Sequence, residues 1–208
     1  MALVKYNNNS ISAVTSAAAI PSGAMTHIKT LTASSSATLS FVDGSSDVVL
    51  DSTYPIYVFK FINIHASATG NFTFQGNAAG ASGFNETMTT TSFVAYHDES
   101  DSTTALEYNA GGDIAQGTGF QYLNISGGFD IENSASLSGT LTLFDPSSTT
   151  FVKHFMSNTA HMGNGDYTHN NFVAGYFNVT SAIDEIQFKM SSGNIDAGTI
   201  KLYGIKDS

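Results

Sequence analysis

The sequence predicts an all-β chain, an antiparallel β-sandwich or jelly roll with an extended N-terminal arm, and three observations predict it. Short segments alternate apolar and polar residues with period two, as in Ile186, Phe188 and Met190 against Glu185, Gln187 and Lys189. Clusters of Gly, Asn, Asp, Ser and Pro separate these segments at short intervals. No segment repeats its apolar residues at the helical spacing of about 3.6. A fixed-period repeat is also missing from the sequence, which argues against a propeller or solenoid.

Residues 1–25 read as the arm and 26–208 as the sandwich domain. In the arm, Leu3, Val4, Tyr6, Ile11, Val14 and Ile20 are scattered among Asn7-Asn8-Asn9, several Ser and Ala17-Ala18-Ala19, and Pro21 and Gly23 close it. This segment is too apolar for a solvated tail, so it is expected to lie against its own domain or a partner, with Leu3, Val4, Tyr6 and Ile11 as contact residues. Strand signals begin at His27. Ile28 to Thr32 is one and Ala37 to Val42 the next; Asp43-Gly44 is the strongest short hairpin signal, and Val48-Val49-Leu50 follows it. Ile56 to His65 is apolar on both faces, the pattern of a central strand covered from both sides. Phe72 and Phe74 mark a further strand, and Thr87 to Tyr96 another.

Residues 97–118 give a weak signal, with Leu106 and Tyr108 as their only large apolar anchors. Phe120, Tyr122 and Leu123 start a short strand, and Ser136 to Phe144 turns Leu137, Gly139, Leu141 and Leu143 inward. Asp145-Pro146-Ser147-Ser148 is a turn, since Pro presets the backbone angle and Asp caps it. Thr149 to Met156 returns as a strand, 157–171 reads as an exposed Asn/Gly/His-rich loop, and Phe172 to Val179 follows. The chain closes on Ile183 to Ile205, read as a hairpin with a long loop over Ser191-Ser192-Gly193-Asn194.

Composition narrows the function. With 208 residues, one domain buries roughly 70% of its unfolded surface. Cys is absent, which excludes disulfides, thiolate metal sites and Cys nucleophiles. All 7 basic residues are Lys against 17 acidic ones, giving a net charge of −10. An Arg-free, acidic chain is a poor match to nucleic acid or an anionic membrane, and neither is expected as a partner. MALVKYNNNS lacks the apolar run of a signal peptide, and no stretch approaches the about 18 apolar residues of a spanning helix.

Candidate chemistry is sparse. His161 and His169 flank Asp166 in one stretch, but a spacing of eight residues suits zinc poorly, and an exposed loop is the plainer reading. His97-Asp98-Glu99-Ser100-Asp101 offers hard oxygens without the order of a calcium loop, so a solvated turn is expected. Glu86, Glu107, Asp113, Glu132 and Asp184 are the carboxylates available to glycoside hydrolysis, yet no two are flanked by strand ends as an acid–base pair would be. No nucleophile elbow or phosphate loop occurs. The expectation is a protein that is not an enzyme and takes neither metal nor cofactor.

Three segments carry a resemblance: Tyr57 to Ser67 (YVFKFINIHAS), Ser138 to Phe155 (SGTLTLFDPSSTTFVKHF) and Phe188 to Ile205 (FKMSSGNIDAGTIKLYGI). They resemble a family of small structural proteins of tailed bacteriophages, common among phages of marine bacteria, and the ending is the most specific part. The resemblance covers about His27 to the C-terminus and implies a virion location with no catalytic motif. It points to a capsid decoration (cement) protein bound to the major capsid protein or other virion proteins. A homotrimer is expected from the usual symmetry of such assemblies. The alternative is a tail or head fibre component, or a host-recognition module binding cell-surface glycan through the 157–171 stretch with His161, Tyr167 and His169.

Overall fold

A computed structural model describes residues 25–206; the proposed contact residues Leu3, Val4, Tyr6 and Ile11 lie outside the described residues. The architecture is an antiparallel β-sandwich of unequal sheets. The larger runs β1 (Met25–Thr32), β12 (Ile195–Ile205), β3 (Ile56–Ala66), β8 (Leu137–Phe144), β9 (Lys153–Gly163), β10 (Tyr167–Phe177), β5 (Met88–Asp98) and β6 (Thr104–Tyr108). The smaller runs β2 (Leu39–Val42), β11 (Ile183–Met190), β4 (Phe72–Ala78) and β7 (Gln121–Tyr122).

Between the sheets lies an aromatic core. Phe188 of β11 packs its ring against Phe41, Phe59, Phe61, Phe72 and Phe74, with centroids 5.3–6.4 Å apart. Phe74 continues the cluster to Phe155 and Phe177 under β9 and β10. Each of these rings sits at an inward position of its strand, so the period-two pattern is the direct cause of the layer. Edge-to-face geometry dominates, as the ring quadrupoles favour.

Several expectations need correction. The terminal segment is not a hairpin: β11 belongs to the smaller sheet and β12 to the larger one, so Ser191–Asn194 crosses between sheets. The crossing runs beside the β3–β4 connection. Ser191 Oγ accepts from the amide of Asn71 at 2.8 Å, and Ser67 Oγ accepts from the amide of Asn194 at 2.9 Å. Gly193 has φ +71, and a Cβ there would stand 2.7 Å from Ser67 Oγ, so the two crossings fit only with glycine at that point. Ser191–Asn194 is thus a sheet-to-sheet clamp.

Asp43-Gly44 does turn, yet Val48–Leu50 forms no strand and β2 pairs with β11 instead. Asp43 Oδ1 accepts from the amide of Leu50 at 2.8 Å, which closes the loop without a ladder. β3 is central, between β12 and β8, but covered fully on one face only: Ile62 is 41% exposed. A bulge interrupts it between Phe61 and Ile64, with Asn63 at φ 50, and Gly198 of β12 lies against that bulge.

The largest departure is at 157–171. Rather than an exposed loop, these residues complete β9 and β10 around a tight turn at Gly165 (φ +88) and Asp166 (φ 62). Their inward positions are Ser157, Thr159, His161, His169 and Asn171, all buried. Polar residues replaced the apolar half of the alternation, so the strand signal vanished from the sequence.

Candidate functional surface

The two sheets differ sharply in what covers their outer faces. The outward residues of β4 are roofed over: Gln75 is buried and donates Nε2 to the carbonyls of Glu86, Thr118 and Gly119 at 2.9–3.2 Å. Lys189 of β11 lies 4.0 Å from the ring centre of Phe120, part of the same roof. On the larger sheet the outward face has no such roof among the described residues. Leu106 is 72% exposed, Met156 and Tyr108 each 59%, and Phe93 43%. Phe93 and Phe172 stack at 4.6 Å and 9°, a flat aromatic step on neighbouring strands. Shallow grooves flank it, one beside Ser138, Ala160, Met162 and Thr168, the other beside Phe144, Met156, Ala174 and Tyr176.

Charge on this face is unlike that of the whole chain. Its outward strand positions include Lys60 and Lys201, paired across β3 and β12, together with His27, His97 and His154. Among the described residues its carboxylates stand at the margins: Asp196 at the tip of β12 beside His65 (3.5 Å), and, past the end of β5, Glu99 beside the first groove and Asp101 against His97 (3.1 Å). Asp113 stands at the opposite rim and accepts the Tyr108 hydroxyl, which pushes the phenol's pKa up. In a chain of net charge −10, the centre of this face, free of carboxylates in its strand register, is a place where an acidic surface can approach.

Inside the sandwich, the polar layer of β5, β9 and β10 holds down a long segment that has little ladder of its own. Residues 109–136 include only the two-residue β7. Their backbone groups find side-chain partners instead. Thr159 Oγ1 donates to the Leu123 carbonyl at 2.5 Å, Asn171 Oδ1 accepts from the Ile125 amide at 3.0 Å, and Gln121 Nε2 donates to the Gly112 carbonyl at 2.7 Å. Ser92 Oγ and Asn109 Nδ2 donate to the carbonyls of Asn109 and Ile125.

His161 and His169 belong to this layer. Their rings stack at 4.8 Å and 17°, each only 3% exposed, with Phe129 over one and Tyr96 and Tyr167 beside the other. Asn171 Nδ2 donates to His161 Nδ1 at 3.0 Å, which assigns the His161 proton to Nε2. Burial, with the neighbouring imidazole second, pushes the His161 pKa down to about 4; burial also lowers that of His169. His161 Nε2 and His169 Nδ1 have no hydrogen-bond partner among the described residues. Of the three residues of the 157–171 stretch named for glycan contact, the structure buries both imidazoles and leaves only Tyr167 partly open.

The remaining candidates are dispersed. The Asp98 carboxylate accepts from Ser100 Oγ, Ser102 Oγ and the amides of Ser102 and Thr103 at 2.5–2.9 Å. These bonds staple the turn and hold its pKa well below the usual carboxylate range. Glu86 accepts from the Ala78 amide, Glu107 is exposed on β6, and Asp184 sits at the β11 bulge, its pKa raised by burial. No group of three or more His, Asp or Glu placed to hold a metal ion occurs among the described residues. Lys153 is buried and donates to the carbonyls of Phe151, Val179 and Thr180 at 2.8–3.0 Å, a structural post.

Compared with protein-family models, curated proteins and solved structures, the chain matches none of them. The phage resemblance therefore rests on the three sequence segments alone.

Proposed function

We propose that this chain is a non-catalytic structural subunit of a tailed-phage particle, a capsid decoration protein that works by adhesion. The observation that carries the proposal is the open outer face of the larger sheet, where Phe93, Leu106, Tyr108 and Met156 stand exposed, with Phe172 half-buried under Phe93, while the opposite sheet is roofed. Exposed apolar patches of this breadth on a soluble domain mark contact sites. A subunit of this kind stabilises a shell because it binds the assembled state and not the disassembled one. In this reading the arm, which precedes β1 at the margin of the same sheet, grips the major capsid protein through Leu3, Val4, Tyr6 and Ile11, leaving the open face for lateral contacts.

The test is copy number and place. Quantitative mass spectrometry of purified particles, with imaging to locate the protein, should find hundreds of copies on the capsid. A handful at the tail favours the fibre reading. Purified infectious particles that contain none of it refute both. Removing residues 1–24 should abolish reattachment to stripped particles, and unchanged attachment would refute the role of the arm.

A further inference from the structure

One row of the open face has an ordered chemistry. Along the register, Lys201 of β12 is followed by Lys60 of β3, Thr140 of β8, Asn158 of β9, Phe172 of β10, Phe93 of β5 and Tyr108 of β6. Tyr108 then leads to Asp113 at the rim. One end is cationic, the other aromatic and anionic, and Asn158 is the middle of seven.

We propose that the open face binds a second copy of this chain, face to face, about a two-fold axis running along β9. This rests on the reading of that face as adhesive and names its occupant. Such an axis reverses the row onto itself, as an isologous contact requires. Lys60 then meets the Phe93 ring, Lys201 meets the Tyr108–Asp113 pair, and Thr140 meets Phe172, each contact occurring twice. A lysine over an aromatic face is attracted by the ring quadrupole. Neighbouring rows agree: Met156 meets Met156 on the axis, Ile62 of β3 meets Ala95 of β5, and Phe144 of β8 meets Tyr176 of β10.

Size and charge also favour this occupant. Seven strands at about 4.8 Å spacing and strands of about 11 residues give a face of about 1,000 Å². A stable complex needs roughly 800 Å² per partner. Two copies of a chain with net charge −10 repel wherever their carboxylates meet, and on this face those stand at the margins, at Asp196, Glu99, Asp101 and Asp113, with none in the central row. The result is a two-fold pair in place of the trimer expected by analogy.

The experiment is analytical ultracentrifugation of the full chain with three variants, at the exposed Met156 and the half-buried Lys201 and Asp113, each checked for an unchanged circular dichroism spectrum and melting temperature. The wild type should sediment as a dimer at tens of micromolar. Lys201→Glu and Asp113→Lys should each weaken dimerisation by at least about tenfold, since each sets like charges opposite one another twice. Mixed in equal amounts, these two variants should form a heterodimer, because both contacts are again between opposite charges. Met156→Asp should give a monomer. A wild type that is monomeric at 100 µM, a trimer indifferent to Met156→Asp, or a mixture that stays monomeric overturns the proposal. A monomer that still decorates particles sinks the pairing and leaves the adhesive function standing.

Discussion

Acid should weaken this fold well above the pH at which its carboxylates protonate, through the stacked imidazoles of the inner layer. His161 has its pKa pushed down to about 4 by burial, against an ordinary value of 6.5 in the unfolded chain. Between those values the unfolded state binds a proton that the folded state refuses, so stability falls as pH falls. For His161 alone the loss relative to pH 7 is about 2 kcal/mol at pH 5 and about 3 kcal/mol at pH 4. His169, also lowered by burial, adds a loss of the same sign. Protonation has a geometric cost as well, because a proton on His161 Nδ1 would face the Asn171 amide that now donates to it. Urea unfolding at closely spaced pH values should show the midpoint falling by on the order of 1 M between pH 7 and 5. In His161→Gln that drop should shrink by more than half. The reasoning is refuted if wild-type stability is flat over this range, or if NMR shows the His161 ring titrating near 6.5. Hydrogen exchange at the Phe129 amide, bonded to the Gly70 carbonyl over this layer, should quicken first.

Other outcomes follow from the same structure. Phe188→Ala, at the hub of five other rings, should cost about 3–5 kcal/mol in chemical denaturation, because it combines lost burial with a cavity. Gly198→Ala should destabilise by about 1–3 kcal/mol, since φ is +110 and the new Cβ would stand 2.5 Å from the Asn63 carbonyl oxygen; a thermal melt within error of wild type would contradict the bulge packing. Lys153→Met leaves three carbonyls without their donor, and a loss of about 2–4 kcal/mol is expected by urea titration at neutral pH.

Much of the fold is legible from the chain where burial and polarity agree. β3, β4, β8, β11 and β12 announce themselves because their inward positions are Phe, Leu, Ile and Met. The second half of β9 and the first half of β10 do not, because Ser157, Thr159, His161, His169 and Asn171 are inward for a different reason: they supply hydrogen bonds to the irregular 109–136 segment. No local pattern announces that service, which exists only when the distant segment lies across the sheet. The open face was equally hidden. Leu106 and Tyr108 read as apolar anchors, and only the register shows that they, with Phe93, point away from the smaller sheet.

The sequence by itself determined the all-β class, the alternation that builds the aromatic layer and the turn positions, because these depend on neighbours one to four residues apart. Tertiary structure alone decided which strands pair, that Ile183 to Ile205 bridges two sheets instead of folding back, and that two histidines are buried. Those outcomes depend on which surfaces meet across the sandwich, and a residue's own neighbours in the chain carry no record of that.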